Sequence, residues 1–136
     1  MRREGIKRDK IIENLRNRLS QDKKIIFAYV HGSFLDEEDF NDLDIAIFLD
    51  KGTGINTDPV NLEISLSLEL EKLIHLPIDV KILNAAPLSF CYHVTKGMLI
   101  LSQDENIREE FLCRTWSAYF DFQPVSKIYL QESMIA

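Results

Sequence analysis

A chain of 136 residues with 46% hydrophobic composition can close a real core, and one domain over 1–136 is expected. Its formal net charge of -6 excludes a protein that wraps nucleic acid along a basic face, so no direct nucleic-acid partner is expected. The start Met1-Arg2-Arg3-Glu4 is charged where a leader would be apolar, and no uninterrupted apolar stretch spans a bilayer; the expectation is a cytoplasmic protein without membrane contact.

In chain order, residues from about 6 to 20 place Ile11, Ile12, Leu15 and Leu19 on one side among charged and amide residues, the pattern of an amphipathic helix. Ile25 to Val30 is an apolar, β-rich run of the kind found in a central strand, ended by a Gly32-Ser33 turn. Residues 34 to 41 form a loop or short helical turn, with Asp36, Glu37, Glu38 and Asp39 as a solvated acidic run. Leu43 to Leu49 is a second buried strand, and Lys51-Gly52-Thr53-Gly54 an exposed turn.

Val60 to Leu76 carries two periods. Val60, Leu62, Ile64, Leu66, Leu68 and Leu70 alternate as in a strand. Against that stand the helix start Asp58-Pro59, the dominance of Leu and Glu, and a helical stripe of Leu62, Leu66, Leu70, Leu73 and Ile74; the segment is expected to be a helix closed by Pro77. Ile78 to Leu83 reads as a third strand, and Pro87 opens a short helix to about Lys96, with Gly97 as its stop. Met98 to Leu101 adds an edge strand. Asp104 caps a last helix that carries Ile107, Phe111, Leu112, Trp116, Tyr119 and Phe120 towards the sheet and ends near Pro124. The order describes an α/β fold, a small mixed sheet flanked by helices with its sites at strand ends. Cys91 and Cys113 lack CxxC spacing and read as buried thiols in a reducing compartment.

The chemistry concentrates in Val30-His31-Gly32-Ser33 and Asp42-Leu43-Asp44-Ile45-Ala46-Ile47. Strand side chains alternate faces, so Asp42 and Asp44 project from the same side and can share a hard cation. Gly32 leaves room for a phosphate, and Ser33 offers a hydroxyl and an N–H at a helix start. Asp79, between Ile78 and Val80, is the other acidic residue inside a predicted core strand, and an ionised carboxylate buried there would need a cation or a hydrogen-bond partner. Beside Asp42 and Asp44 it would complete a site for two magnesium ions and help deprotonate an attacking hydroxyl. Lys81, two residues on, is either a neutraliser of phosphate charge or an ordinary exposed lysine. His31 reads as structural, and His75 and His93 as bystanders.

Gly32-Ser33 followed by Asp42-x-Asp44 resembles the nucleotidyltransferase superfamily that includes DNA polymerase beta, and implies a sheet of that type. The stretches from Ile78 to Leu88 and from Gly97 to Leu101, with Arg108-Glu109-Glu110-Phe111 and Tyr119-Phe120-Asp121-Phe122, narrow the resemblance to the minimal nucleotidyltransferase (MNT) antitoxins that pair with helical HEPN ribonuclease toxins. The resemblance implies an antitoxin that transfers AMP from ATP to a tyrosine of that toxin, with Mg2+ as cofactor and pyrophosphate released. It also implies that Gly32 and Ser33 hold the phosphates, that Asp42, Asp44 and Asp79 are catalytic, and that the same three aspartates bind the metal. The chain departs from the family pattern in a short spacing from Ser33 to Asp42, and in Phe34-Leu35-Asp36-Glu37 where a basic residue is usual. Two other readings stand beside this one: an antitoxin acting by binding and occlusion, and nucleotidyl transfer to a small molecule. The aromatic residues near the C-terminus suit an interface with the toxin, with a second copy, or with both.

Overall fold

A computed structural model describes residues 2–36, 42–51 and 58–122. Its elements in chain order are α1 (Arg2–Ser20), β1 (Ile25–His31), α2 (Ser33–Asp36), β2 (Leu43–Leu49), α3 (Pro59–Ile74), β3 (Ile78–Ile82), α4 (Leu88–Thr95), β4 (Met98–Ser102) and α5 (Glu105–Phe122). The strands form one mixed sheet in the order β3-β2-β1-β4, in which β1 pairs antiparallel with β2 and β4, and β2 pairs parallel with β3.

Strand alternation divides the core into two layers. Leu43, Ile45, Ile47 and Leu49 of β2 share one face with Ile78 and Val80 of β3, and pack against Ile11, Ile12, Leu15 and Leu19 of α1 and Leu66 and Leu70 of α3. Ala46 and Phe48 point the other way, into a cluster with Phe27, Tyr29, Cys91 and Val94, against which Ile107 and Phe111 of α5 are packed. Phe27 and Phe48 stack with ring centroids 5.0 Å apart, and Phe111 leans on both. A register shift between Ile25 and Phe27 turns Ile26 and Phe27 to the same face, so an unbroken apolar run serves both layers.

α3 is a helix, as its start signals predict. Asp58 accepts the Val60 N–H at 3.2 Å, Pro59 follows at the first helical position, and His75 closes the helix in the left-handed conformation at φ 65. The alternation that mimics a strand becomes two stripes: Leu66 and Leu70 are buried, while Val60, Ile64 and Leu68 are exposed. Leu73, expected in the buried stripe, is exposed as well, in the last turn of the helix, although its angle falls between those of Leu62 and Leu66.

β3 is an edge strand, and α3 covers its open side. Glu71 Oε2 accepts the Ile78 N–H at 2.9 Å, Ser67 Oγ accepts the Val80 N–H at 3.0 Å, and Glu63 Oε2 accepts the Ile82 N–H at 2.8 Å. Acceptors four residues apart on a helix rise about 6 Å, close to the repeat of alternate strand donors, so one helix face satisfies the whole edge. Unpaired edge N–H groups would otherwise template pairing with another chain.

The first helix begins earlier than periodicity alone indicates, at Arg2. Cys91 is buried as expected, but Cys113 is exposed on the outer side of α5, which corrects its reading as a buried thiol; both are free. Glu37, Glu38 and Asp39 of the acidic run, residues 52–54 of the expected turn and the stop near Pro124 fall outside the described residues. Among those described, no helix is long and apolar enough to cross a membrane.

Ser67→Ala leaves the partly buried Val80 N–H without its acceptor and should cost about 1 kcal/mol, read as a lower urea midpoint with unchanged slope. Removing all three acceptors, Glu63→Ala, Ser67→Ala and Glu71→Ala together, should add light scattering on concentration. An unchanged midpoint and clear solutions would show that α3 does not protect the edge.

Candidate functional site

β1 reaches one end of the sheet where β2 and β3 begin. The antiparallel register places His31 opposite Asp44, and the parallel register places Asp79 on the other side of Asp44. The three side chains therefore form a row across β1, β2 and β3, on the face that carries α4 and α5. Phe90 of α4 meets the His31 ring edge-on at 5.5 Å, which closes the row at one side. The other side is open: the Asp79 side chain is 60% exposed, with the Lys81 ammonium 3.8 Å from its carboxylate.

Two glycines let backbone approach this row. Gly32 follows β1 at φ +83, and a Cβ there would stand 2.5 Å from Asp44 Oδ2. No L side chain fits that space or favours that backbone angle. Its carbonyl accepts the Leu35 N–H at 3.1 Å, which starts the turn into α2, with Ser33 as first residue. Phe34 is buried in the core under α1, and Arg8 donates to its carbonyl at 2.7 Å, so the turn is anchored from beneath. At Gly97 a Cβ would lie 2.5 Å from the Val30 carbonyl oxygen and 3.3 Å from His31 Cβ, so this glycine admits the α4–β4 turn against the end of β1.

The row is electrostatically unsettled. Burial raises the Asp44 carboxyl above its ordinary value; His31 opposes that shift, while the negative charges of Asp42 and Asp79 reinforce it. Burial lowers the His31 imidazole, against the pull of Asp44 and Asp79. His31 Nε2 is buried with no hydrogen-bond partner. A half-buried carboxylate flanked by two others, beside an orphaned ring nitrogen, is a place where positive charge is favoured. The donors are hard oxygens, the chemistry of magnesium rather than of a thiolate-binding metal. Among the described residues no three His, Cys, Asp or Glu side chains converge into a ready-made metal cage. Magnesium commonly takes one or two carboxylates and completes its shell with phosphate oxygens and water, which such an arrangement suits.

Of the residues singled out from the sequence, the structure gathers Gly32, Asp44 and Asp79 and starts α2 at Ser33. Asp42 is exposed and precedes β2, so it reaches the site from the incoming chain. The burial argument for Asp79 is overturned: Ile78 and Val80 are buried, but β3 is an edge strand and Asp79 faces solvent. His75 and His93 lie away from the row, on the cap of α3 and the exposed side of α4. Phe90 and the second role of Gly97 escaped sequence reasoning. A phenylalanine in an apolar helix carries no signal, and Gly97 already had a sufficient explanation as a helix stop.

Gly32→Ala should cost roughly 1–3 kcal/mol in urea denaturation, because it meets both the strained φ and the Asp44 oxygen. Asp44→Asn should do the opposite near neutral pH. A carboxyl whose folded value is raised contributes stability below its unfolded value and loses it as pH rises through the folded one. The amide mimics the protonated form, so the variant's higher midpoint at pH 7 should shrink as pH falls below the ordinary aspartate range. A less stable Asp44→Asn at neutral pH would show that the carboxylate is well satisfied.

The family model of polymerase beta nucleotidyltransferases matches residues 13–106, which include β1, Gly32, Asp42, Asp44 and Asp79. No curated protein sequence matches the chain. Among solved structures, the chain is similar to one from a tri-AMPylated Shewanella oneidensis HEPN toxin in complex with MNT antitoxin, at 21% identity and TM-score 0.63, covering 96% of this chain and 98% of that one. A toxin–antitoxin MntA–HepT structure matches at 21% identity and TM-score 0.61, with the same coverage. A toxin–antitoxin structure with AMP-PNP matches at 22% identity and TM-score 0.65, covering 93% of this chain and 98% of that one. These likenesses establish a shared fold, and the family match spans well over half of the sequence: the chain belongs to the polymerase beta nucleotidyltransferase family.

Proposed function

We propose that this chain is a cytoplasmic MNT-type antitoxin that transfers AMP from ATP to a tyrosine of a partner HEPN toxin and so neutralises it. The observation that carries the reading is the register row of His31, Asp44 and Asp79 with Gly32 packed against the Asp44 carboxylate. It sets a Gly-Ser turn beside the carboxylates of two neighbouring strands. The fold shared with chains from toxin–antitoxin complexes, one with an AMPylated toxin and another with AMP-PNP, supports the same acceptor and nucleotide.

In this reading Gly32 and Ser33 would hold the triphosphate by backbone approach, and Asp42 and Asp44 would hold magnesium. Magnesium, when bound, supplies positive charge to the phosphates and eases loss of the acceptor proton. The phenolic oxygen forms a bond to the α-phosphorus, the bond from that phosphorus to the bridging oxygen breaks, and pyrophosphate leaves with the electron pair. Asp79 takes the phenolic proton. Its exposure favours this role, since an acceptor carried on another protein must approach from solvent, and the Lys81 ammonium lies 3.8 Å from the carboxylate. Occlusion without catalysis is the second reading, favoured by the acidic run after Ser33, which repels a triphosphate.

Incubation with magnesium, ATP and the toxin should add AMP to the toxin by intact mass, and Asp42→Asn or Asp44→Asn should reduce the rate by 100-fold or more, on the order of magnitude of a lost charge-stabilising group. A toxin inhibited but unmodified by the wild-type chain would favour occlusion. Separately, magnesium with a non-hydrolysable ATP analogue should raise the melting temperature of the wild type and not of Asp44→Asn. Equal shifts in both would remove Asp44 from the site.

A further inference from the structure

Val60, Ile64 and Leu68 form an exposed apolar stripe on α3, at 57%, 53% and 55% exposure. With Leu73 they make up most of the exposed large apolar residues among those described. The stripe repeats every four residues and faces away from the sheet, about 200° around the helix from Leu62, Leu66 and Leu70. On one side it is flanked by the uncharged Asn61 and Ser65, with Glu69 beyond them held by Arg18 of α1; on the other it is flanked by Glu63, Ser67 and Glu71, which accept from the β3 backbone.

We propose that this stripe is the contact of a twofold homodimer, in which α3 packs antiparallel on α3 of a second copy about Ile64 and Ser65. A twofold interface must be self-complementary, and this face is. The antiparallel arrangement sets Val60 against Leu68 of the second copy and Ile64 against its own counterpart. It also brings the exposed Asp58 at the helix start beside Lys72 in the last turn of the second copy, an attraction that a parallel pairing would turn into repulsion. Each helix then places its positive end by the negative end of its partner. The contact is one helix wide, smaller than a standard permanent interface, so the dimer is concentration-dependent rather than obligate. It goes beyond the proposed transfer reaction, and its sedimentation and cross-linking tests involve neither ATP nor toxin.

Sedimentation of the full chain from about 2 to about 200 µM should show the mass rising from 15.8 kDa towards twice that value. Ile64→Asp, at an exposed position and so without effect on folding by circular dichroism, should stay at 15.8 kDa throughout. In a Cys113→Ser background, Ile64→Cys should form a disulfide-linked dimer on mild oxidation. Val60→Cys alone should not, but should cross-link when mixed with Leu68→Cys. A wild type that stays monomeric, an Ile64→Asp variant that still dimerises, or self-linking of Val60→Cys would each overturn the proposal. Loss of toxin capture in Ile64→Asp, with a wild type monomeric at every concentration, would overturn it in favour of the toxin as occupant.

Discussion

The register of β2 is the constraint on which the candidate site depends. Leu43, Ile45, Ile47 and Leu49 are buried between the sheet and the layer of α1 and α3, and their burial fixes which face Asp44 takes. A slip of one residue would drive Asp44 into that core and turn four apolar side chains to the other side. The core thus specifies the site without touching it. Because β2 pairs antiparallel on one edge and parallel on the other, the end of β1 and the start of β3 meet at the same place. The Gly32 turn and Asp79 become neighbours of Asp44 through two different kinds of strand pairing.

The arrangement is not the most stable one available to the fold. Asp44 is half-buried beside other negative charges, and His31 Nε2 lacks a partner, yet the surrounding elements hold both in place. Phe34 and Arg8 anchor α2 beneath the turn, and Gly97 brings the α4–β4 turn against the last residues of β1. Rigid support under strained and charged groups is the expected architecture of a binding site whose ligand supplies the missing countercharge. On the side of Asp79 and Lys81 the row is open to solvent.

Most of this was legible in the sequence because the two signals are of different kinds. Apolar alternation and runs gave the strands, and the composition of the Gly-Ser turn and Asp-x-Asp marked the end of the sheet where the candidate site lies. Asp79 shows where such reasoning stops. Its apolar neighbours are buried, but alternation says only that Asp79 faces the other way; whether that face is covered depends on the lengths and positions of α4 and α5, which no local pattern encodes. Cys113 failed for the same reason: a helix of mixed spacing does not declare which of its sides meets the sheet. The edge ladder of Glu63, Ser67 and Glu71 was also hidden, since polar residues four apart on a helix ordinarily read as its solvated side.

That ladder explains why α3 carries a pattern resembling a strand. A helix lying on a sheet needs one apolar stripe, but α3 meets the sheet at its edge and must also accept hydrogen bonds from it. The polar positions at 63, 67 and 71 are committed to the β3 backbone, and those at 62, 66 and 70 to the core. Positions 60, 64 and 68 are not needed for either task. A helix with no other duty would place charged residues there, as the outer faces of α1 and α5 do. Apolar residues at all three positions produce the alternation, because two apolar stripes on opposite sides of a helix repeat every two residues in sequence. The period that made the segment ambiguous is therefore the sum of a buried face and an exposed one, and the exposed face is the part that packing among the described residues leaves unexplained.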